Sequence, residues 1–181
     1  MKALIHLASG FEEIEAITVV DILRRADIET QMVSVSQCLQ VTGAHNIEVR
    51  ADLCLHRADY DTADILILPG GMPGSHNLAN SKTLAEKIKA HYDQGKWLAA
   101  ICAAPLVYGR MGLLEGQKAI CYPSFEHELK GATITDETVV VSERFITAKG
   151  PGVTVDFALE IVKQLKGAET AKQIAQGLIK V

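Results

Sequence analysis

Short apolar runs alternate with amphipathic stretches along most of the chain, and this alternation predicts the fold class. Residues 4–8 and 64–68 form runs of strand length, and the second is apolar enough to be buried on both faces, as a parallel sheet requires. Between such runs, apolar residues recur every three or four positions, which is typical of helices that pack on a sheet. The pattern therefore predicts a parallel, doubly wound α/β sandwich with right-handed crossovers.

The same pattern sets the bounds of the predicted elements, except in two irregular regions. Residues 38–49 contain a turn at Thr42-Gly43 between short strands, and residues 52–60 resemble a loop. The predicted strands cover residues 4–8, 30–35, 64–68, 97–101, 119–122, 138–141 and 145–148, and the predicted helices end near residues 26, 94, 108, 166 and 176.

Length and composition are those of one globular domain, which we expect to cover residues 1–181. The net charge is −4 and no block of Lys and Arg is present, so the electrostatic footprint of a nucleic-acid binder is missing. No apolar run approaches the roughly 18 residues of a membrane span, and the N-terminus lacks a signal-peptide cleavage region. We therefore expect a cytoplasmic protein that binds neither membranes nor specific nucleic acids.

The four cysteines are widely spaced and form no CxxC pair. A disulfide framework is not expected in a chain of this size without an export signal, which favours a reducing compartment. Cys54 and His56 are the one close Cys/His pair, and two ligands fall short of a structural zinc site, so we predict no metal. The cysteines are Cys38, Cys54, Cys102 and Cys121.

The stretch from Trp97 is an apolar run that ends abruptly at Cys102 and is followed by small residues. A strand that stops at a nucleophile and turns sharply into a helix has this outline, as in the α/β-hydrolase elbow. In that geometry the N-terminus of the helix favours a thiolate. The alternative is a buried core cysteine, because free Cys is among the most buried residue types.

Two further segments end predicted strands with unusual residues, and an open parallel sheet places such ends at one rim. Residues 9–15 place three glutamates in the first turn of a helix, where the helix dipole favours acids, and residues 69–71 include two adjacent glycines. We expect a thiol, a carboxyl group and a glycine amide to meet at this rim. The N–H groups of Gly71 and Ala103 would form an oxyanion hole beside Cys102.

None of the six histidines adjoins Cys102 in sequence, so spacing does not show which group activates the thiol. His76 follows the glycine loop and His127 follows the predicted strand 119–122, which makes both candidates for the pocket. His6 lies in the first strand, where packing is its simpler role. The remaining three are expected at the surface: His45, His56 and His91.

Five segments occur together in an order that is familiar, and together they cover nearly the whole chain. They are residues 9–15, residues 20–26, residues 68–71 with Asn77 and Leu78, residues 99–105, and residues 150–152 with residues 156–159. In these segments the chain resembles the ThiJ/PfpI superfamily, most closely the branch of the parkinsonism-associated deglycase and its bacterial relatives.

The resemblance implies a flavodoxin-like, three-layer sandwich with a mostly parallel central sheet, and a homodimer. It implies that Cys102 is the nucleophile, that Glu15 hydrogen-bonds to it, and that Gly71 and Ala103 supply the oxyanion-hole amides, with Gly70 in the same pocket. Relatives convert glyoxal and methylglyoxal to hydroxy acids without a cofactor. Repair of glycated protein and nucleotide, chaperone activity and protection against oxidative stress are also reported for this branch.

Two departures from the family pattern bear on the chemistry. The deglycase branch often has a histidine immediately before the proline at Pro123, and this chain has Tyr122 there. The change leaves Glu15 as the main acid/base, and Tyr122 either lends a hydroxyl or only shapes the pocket. The protease-like branch usually has a histidine directly after the cysteine, so Ala103 disfavours proteolysis.

Two functions fit a thiol beside a carboxyl group, since two anions in a partly buried pocket disfavour each other and the pair shares a proton. The first is a cysteine enzyme acting on reactive carbonyls, with a small aldehyde or a glycated molecule as substrate. The second is a redox sensor or stress chaperone whose Cys102 is oxidised to sulfinate and held by Glu15. A hydrolase of the glutamine-amidotransferase type is a third reading, which the missing histidine disfavours.

Overall fold

The computed structural model describes residues 1–180, and a seven-stranded sheet lies at their centre. The strand order is β10-β11-β7-β6-β1-β2-β5, with β10 antiparallel to β11 and the other neighbours parallel. Two small sheets, β3-β4 and β8-β9, lie outside it. The strands are β1 (Lys2–Leu7), β2 (Glu29–Ser34), β3 (Gln40–Thr42), β4 (Glu48–Arg50), β5 (Leu53–Cys54), β6 (Ile65–Leu68), β7 (Trp97–Ile101), β8 (Lys118–Ala119), β9 (Thr133–Ile134), β10 (Val139–Ser142) and β11 (Phe145–Ala148).

Two groups of helices flank the sheet and complete the predicted α/β sandwich, whose fold class is confirmed. Helices α1, α5 and α6 pack together, and α2 packs against both α3 and α4. None of these helices, within residues 1–180, is long and apolar enough to cross a membrane. The helices are α1 (Glu13–Arg25), α2 (Gly74–Ala79), α3 (Lys82–Asp93), α4 (Pro105–Arg110), α5 (Thr154–Lys166) and α6 (Ala168–Gly177).

Short elements account for most differences from the predicted pattern. The predicted loop at residues 52–60 contains β5 and a single 3-10 turn, and α2 follows the glycine loop where no helix was predicted. The predicted strand at residues 119–122 is only two residues long, because its chain leaves the ladder with β9 after Ala119. Elements of two to six residues carry too few periodic positions for a sequence pattern to detect them.

The core includes two histidines, of which only one was expected to be buried. His6 in β1 is fully buried, and its Nε2 lies 3.0 Å from the Tyr60 hydroxyl. His91 was predicted at the surface, and this prediction is wrong, since only 2% of the residue is exposed. It falls on the same face of α3 as Leu84 and Ile88, at helical spacing, and that face packs on the sheet.

Candidate active site

Cys102 stands at a sharp turn between strand β7 and helix α4. Its φ angle is +62°, in the left-handed region that residues with a Cβ rarely adopt. Its N–H donates to the Ala148 carbonyl at 2.9 Å, and its own carbonyl accepts the Tyr122 N–H at 2.7 Å. These two hydrogen bonds hold the strained backbone, so the side chain projects from the carboxyl end of a central strand.

Glu15 reaches this turn from the first helical turn of α1, and it is completely buried. Its Oε2 accepts the Gly70 N–H at 2.7 Å, and its backbone N–H donates to Oε2 of Glu12 at 2.8 Å. Its Oε1 is buried and makes no well-aligned hydrogen bond within residues 1–180. A buried carboxyl group with one unsatisfied oxygen is costly, and such groups call for an explanation beyond helix capping.

Gly70 lies between the Cys102 and Glu15 side chains and is in close contact with both. A Cβ added at this position would lie 2.6 Å from Cys102 Cβ and 2.7 Å from Glu15 Oε2, both closer than real Cβ contacts. The two functional side chains therefore meet at one point, where only a hydrogen fits. Gly71 follows with a φ of +88°, and a Cβ there would collide with the backbone N of Glu12 at 2.4 Å.

Burial sets the protonation of this pair. It raises the pKa of the Glu15 carboxyl to about 7, with the nearby charge of Glu12 acting in the same direction. Burial likewise raises the pKa of the Cys102 thiol to about 12, and the adjacent Glu15 raises it further. Desolvation thus outweighs the helix dipole that was expected to favour a thiolate, and the resting sulfur keeps its proton.

Two backbone amides oppose this effect from the other side of the sulfur. The N–H groups of Gly71 and Ala103 face the Cys102 side chain, and their hydrogen bonds lower the thiol pKa. These are the two amides that the sequence singles out for an oxyanion hole. Negative charge developing on or next to the sulfur would therefore find two aligned donors.

Comparison with known proteins shows the family of this chain. The model of the DJ-1/PfpI family matches residues 1–164. The chain belongs to the DJ-1/PfpI family. This confirms the resemblance drawn from the sequence segments.

Relatives within the family include plant, animal and protozoan proteins. The chain is 38% identical over 180 residues to protein DJ-1 homolog B of Arabidopsis thaliana. The match covers 98% of this chain but only 41% of the plant protein. It is 33% identical over 169 residues to glutathione-independent glyoxalase DJR-1.2 of Caenorhabditis elegans, covering 92% of this chain and 89% of that one. The structure of oxidized Toxoplasma gondii DJ-1 superposes with a TM-score of 0.95 at 37% identity, covering 98% and 97% of the two chains.

Tyr122 and the Gly-Pro-Gly turn that precedes α5 line a small cavity next to the Cys102 turn. Tyr122 is 46% exposed, and it borders a cavity of about 210 Å³ together with Lys149 and residues 150–153. A Cβ added at Gly150 would lie 3.2 Å from the Tyr122 ring. The backbone N–H of Tyr122 contacts the Cys102 carbonyl, and the Tyr122 side chain faces this neighbouring cavity.

The two histidines predicted for the pocket lie around a different carboxylate. His127 is largely exposed, with its Nε2 3.9 Å from Glu128, and His76 faces the same carboxylate and lowers its pKa. Arg110 forms a two-pronged ion pair with Glu128, with its Nε at 2.9 Å. Glu128 belongs to the short 3-10 turn at residues 126–128, and both imidazoles act on this carboxylate, His127 by contact and His76 through its charge. Glu15 is the carboxyl group that acts on Cys102.

The role of the glutamates that precede Glu15 was not predicted from the sequence. Glu12 and Glu13 are buried, and Glu13 binds His45 through both carboxylate oxygens, each at 2.7 Å. Glu12, Glu13 and His45 place potential metal ligands within 4.8 Å of one another. The hydrogen bonds to His45 account for this geometry without a cation. The sequence shows the acids but not this partner, because His45 is 32 positions away from Glu13.

Proposed function

We propose that this protein is a cysteine-dependent, cofactor-independent enzyme that acts on reactive carbonyl compounds and has a stress-protective role. One observation carries the proposal: the Cys102 sulfur lies between a buried carboxyl group with a raised pKa and two backbone N–H groups. A nucleophile, a proton carrier and an oxyanion hole are the parts that carbonyl addition needs. The similarity to a nematode protein named as a glutathione-independent glyoxalase points to the same chemistry.

The proposed first step is addition of the Cys102 sulfur to an aldehyde carbon. The thiol proton passes to the Glu15 carboxylate as the sulfur–carbon bond forms, because the resting thiol is protonated and Glu15 titrates near neutral pH. The former carbonyl oxygen gains the electron pair of the C=O π bond. The amides of Gly71 and Ala103 donate to this oxygen. Glu15 then passes its proton to the oxygen, which gives a neutral hemithioacetal and restores the Glu15 carboxylate.

For a 2-oxoaldehyde such as methylglyoxal, the remaining steps balance with water alone. The Glu15 carboxylate moves one proton from the sulfur-bearing carbon to the neighbouring carbon, and the hydroxyl proton of the first carbon moves to the carbonyl oxygen of the second. Together these two shifts convert the hemithioacetal into a thioester of a 2-hydroxy acid. Water then cleaves the thioester, and the sulfur recovers its proton. One carbon is oxidised and its neighbour is reduced, so no external electron acceptor is required. Tyr122 at the rim would limit substrates to small aldehydes or to the carbonyl end of a glycated molecule.

Turnover of methylglyoxal by three forms of the protein tests this proposal. We expect the wild type to form lactate, Cys102→Ser to lose the activity, and Glu15→Gln to lose at least about a hundredfold, the usual contribution of a positioned acid/base. Cys38→Ser is the matched control, because Cys38 is exposed and should not affect turnover. Equal consumption of methylglyoxal by the wild type and Cys102→Ser would refute the enzymatic proposal.

Oxidation sensing is a second candidate function for the same pair. The structure of an oxidized DJ-1 is among the close structural matches, and a Glu15 carboxyl that titrates near pH 7 can donate a hydrogen bond to an oxidised sulfur. We expect mild peroxide to add two oxygens to Cys102 before any of the other three cysteines, as measured by mass spectrometry of peptides. Uniform oxidation of all four would count against a sensor.

We also propose that the protein forms a homodimer through helix α1. Ile14 and Ile17 on this helix are 56% and 41% exposed, which is high for large apolar side chains. Ile17 also lines a cavity of about 530 Å³ with Val155 and Leu178. Sedimentation should give twice the 19.6 kDa chain mass, and Ile17→Glu should give a monomer. A wild-type monomer at micromolar concentration would exclude the dimer.

A further inference from the structure

The β3–β4 hairpin lies against the start of α1, and a buried carboxylate joins the two. Glu13 Oε1 accepts the His45 N–H at 2.7 Å and lies 3.5 Å from the Ile47 N–H, while its Oε2 binds the His45 ring at 2.7 Å. Only 6% of Glu13 is exposed. Burial opposes ionisation of Glu13, but the hydrogen bonds from the hairpin outweigh it and lower its pKa. The carboxylate therefore serves as an acceptor for the hairpin tip.

Backbone hydrogen bonds continue this attachment toward the site. The Ala44 N–H donates to the Phe11 carbonyl at 2.8 Å, and the Gly10 N–H donates to the Thr42 carbonyl at 2.8 Å. Gly43 leaves room for the attachment, because a Cβ there would lie 2.3 Å from Oε1 of Glu13. The hairpin thus fixes residues 10–13 along their whole length.

The opposite side of residues 10–13 holds the glycine loop of the site. The Glu12 N–H donates to the Gly70 carbonyl at 2.9 Å, and the Gly74 N–H donates to the Gly10 carbonyl at 3.1 Å. Glu12 also caps the N–H of Glu15. Residues 10–13 are therefore clamped between the hairpin and the loop that carries the Gly71 amide.

We propose that Glu13 is a positioning residue, whose carboxylate anchors the hairpin on residues 10–13 and thereby holds Glu15 and the Gly71 amide at Cys102. This role rests on the proposed function, but the placement of Glu15 at Cys102 can be tested without measuring turnover. Glu13 itself does not touch the reacting atoms. Its contribution passes through the segment that it fixes, and precise placement of such groups is worth large factors in rate.

A double-mutant cycle on Cys102 alkylation by iodoacetamide tests the proposal. The rate of Cys102 alkylation is measured under native conditions for four proteins: the wild type, Glu13→Gln, Glu15→Gln and the double variant. Replacing Glu15 removes a neighbour that raises the thiol pKa, so it changes the alkylation rate in the wild type. If Glu13 positions Glu15, the same replacement should have an effect smaller by about twofold or more in the Glu13→Gln background. Additive effects would overturn the proposal.

Two further variants separate positioning from other effects. His45→Ala removes an exposed ring and no carboxylate, so it should fold and should also couple to Glu15→Gln, less strongly than Glu13→Gln does. Glu48→Gln removes an exposed acid from the same hairpin and should not couple. If Glu13→Gln and His45→Ala lower thermal stability but neither couples to Glu15→Gln, Glu13 has only a structural role. Absence of methylglyoxal turnover in the wild type would refute the proposed enzyme while leaving this cycle measurable.

Discussion

Replacing Glu15 with glutamine should stabilise the protein at alkaline pH while lowering the proposed carbonyl turnover. Glu15 is completely buried, and its Oε2 accepts the Gly70 N–H. A glutamine Oε1 can accept the same hydrogen bond, and its amide resembles the protonated acid in size and charge. The replacement therefore removes the cost of holding a buried carboxylate and keeps the packing. A residue retained for function at the expense of stability should behave in this way.

The magnitude follows from the pKa of the carboxyl group, which rises from 4.5 to about 7 on folding. An acid with a raised pKa binds more protons in the folded state, so stability falls as the pH rises through this window. Each pKa unit is worth about 1.4 kcal/mol, so full ionisation costs roughly 3 kcal/mol. Between pH 5.5 and pH 8.5 the wild type should lose about 2 kcal/mol through this group, and Glu15→Gln should lose none of it.

Urea unfolding at these two pH values, in the presence of a thiol reductant, measures the effect. The difference in unfolding free energy between Glu15→Gln and the wild type should grow by about 2 kcal/mol from pH 5.5 to pH 8.5. Glu48→Gln is the matched control, since Glu48 is exposed and its difference should not change with pH. A flat difference for Glu15→Gln, or one that shrinks with rising pH, would refute the buried, raised-pKa carboxyl group.

Three other buried positions give predictions of their own. Gly70→Ala should lower the free energy of unfolding by about 1–3 kcal/mol and block alkylation of Cys102, because the added methyl group would lie within 3 Å of both Cys102 and Glu15. Alkylation at the wild-type rate would contradict this prediction. Burial lowers the pKa of His6 to about 4, so its stabilising effect is present above pH 6.5 and is lost as the pH falls toward 4. In urea titrations His6→Leu should therefore lose about 2 kcal/mol less than the wild type between pH 7.5 and pH 5, and equal losses would contradict this. Tyr108→Phe should cost about 1 kcal/mol in the same assay, because the buried hydroxyl donates to a strand carbonyl at 3.0 Å; no loss would show that this bond is not stabilising.

The alternation of strands and helices was predictable because it is repeated over many residues. The long helices α1, α3 and α5 each bury a stripe at helical spacing, and β6 is apolar throughout. The two-residue strand β5 and the six-residue helix α2 have no such repeat, and tertiary contacts decide them. The burial of His91 also depends on tertiary contacts. The sequence pattern shows which residues share a face of α3, but it does not show how far the rest of the protein covers that face.

The sequence was informative about the backbone of the candidate site and less informative about its electrostatics. Adjacent glycines and a cysteine after an apolar strand indicate a close approach, and the structure brings Gly70 and Cys102 together. The sequence cannot show how much water remains, and water decides whether a thiol near a helix N-terminus is ionised. The attachment of Glu13 to His45 joins residues 32 positions apart, so it depends on the tertiary fold.

The structure bears on whether Cys102 is only a core thiol. A core cysteine would gain from a relaxed backbone and an apolar neighbour, since packing is its whole role. Cys102 instead has a left-handed φ, its neighbour Glu15 is a buried carboxyl group, and Oε1 of Glu15 makes no well-aligned hydrogen bond within residues 1–180. Each of these features destabilises the fold by an amount on the order of 1 kcal/mol or more. The left-handed backbone, the buried carboxyl group and its Oε1, unpartnered within the described residues, lie together beside Gly70, which tolerates no methyl group. Packing alone does not explain these destabilising features, and strain of this kind clusters at functional sites.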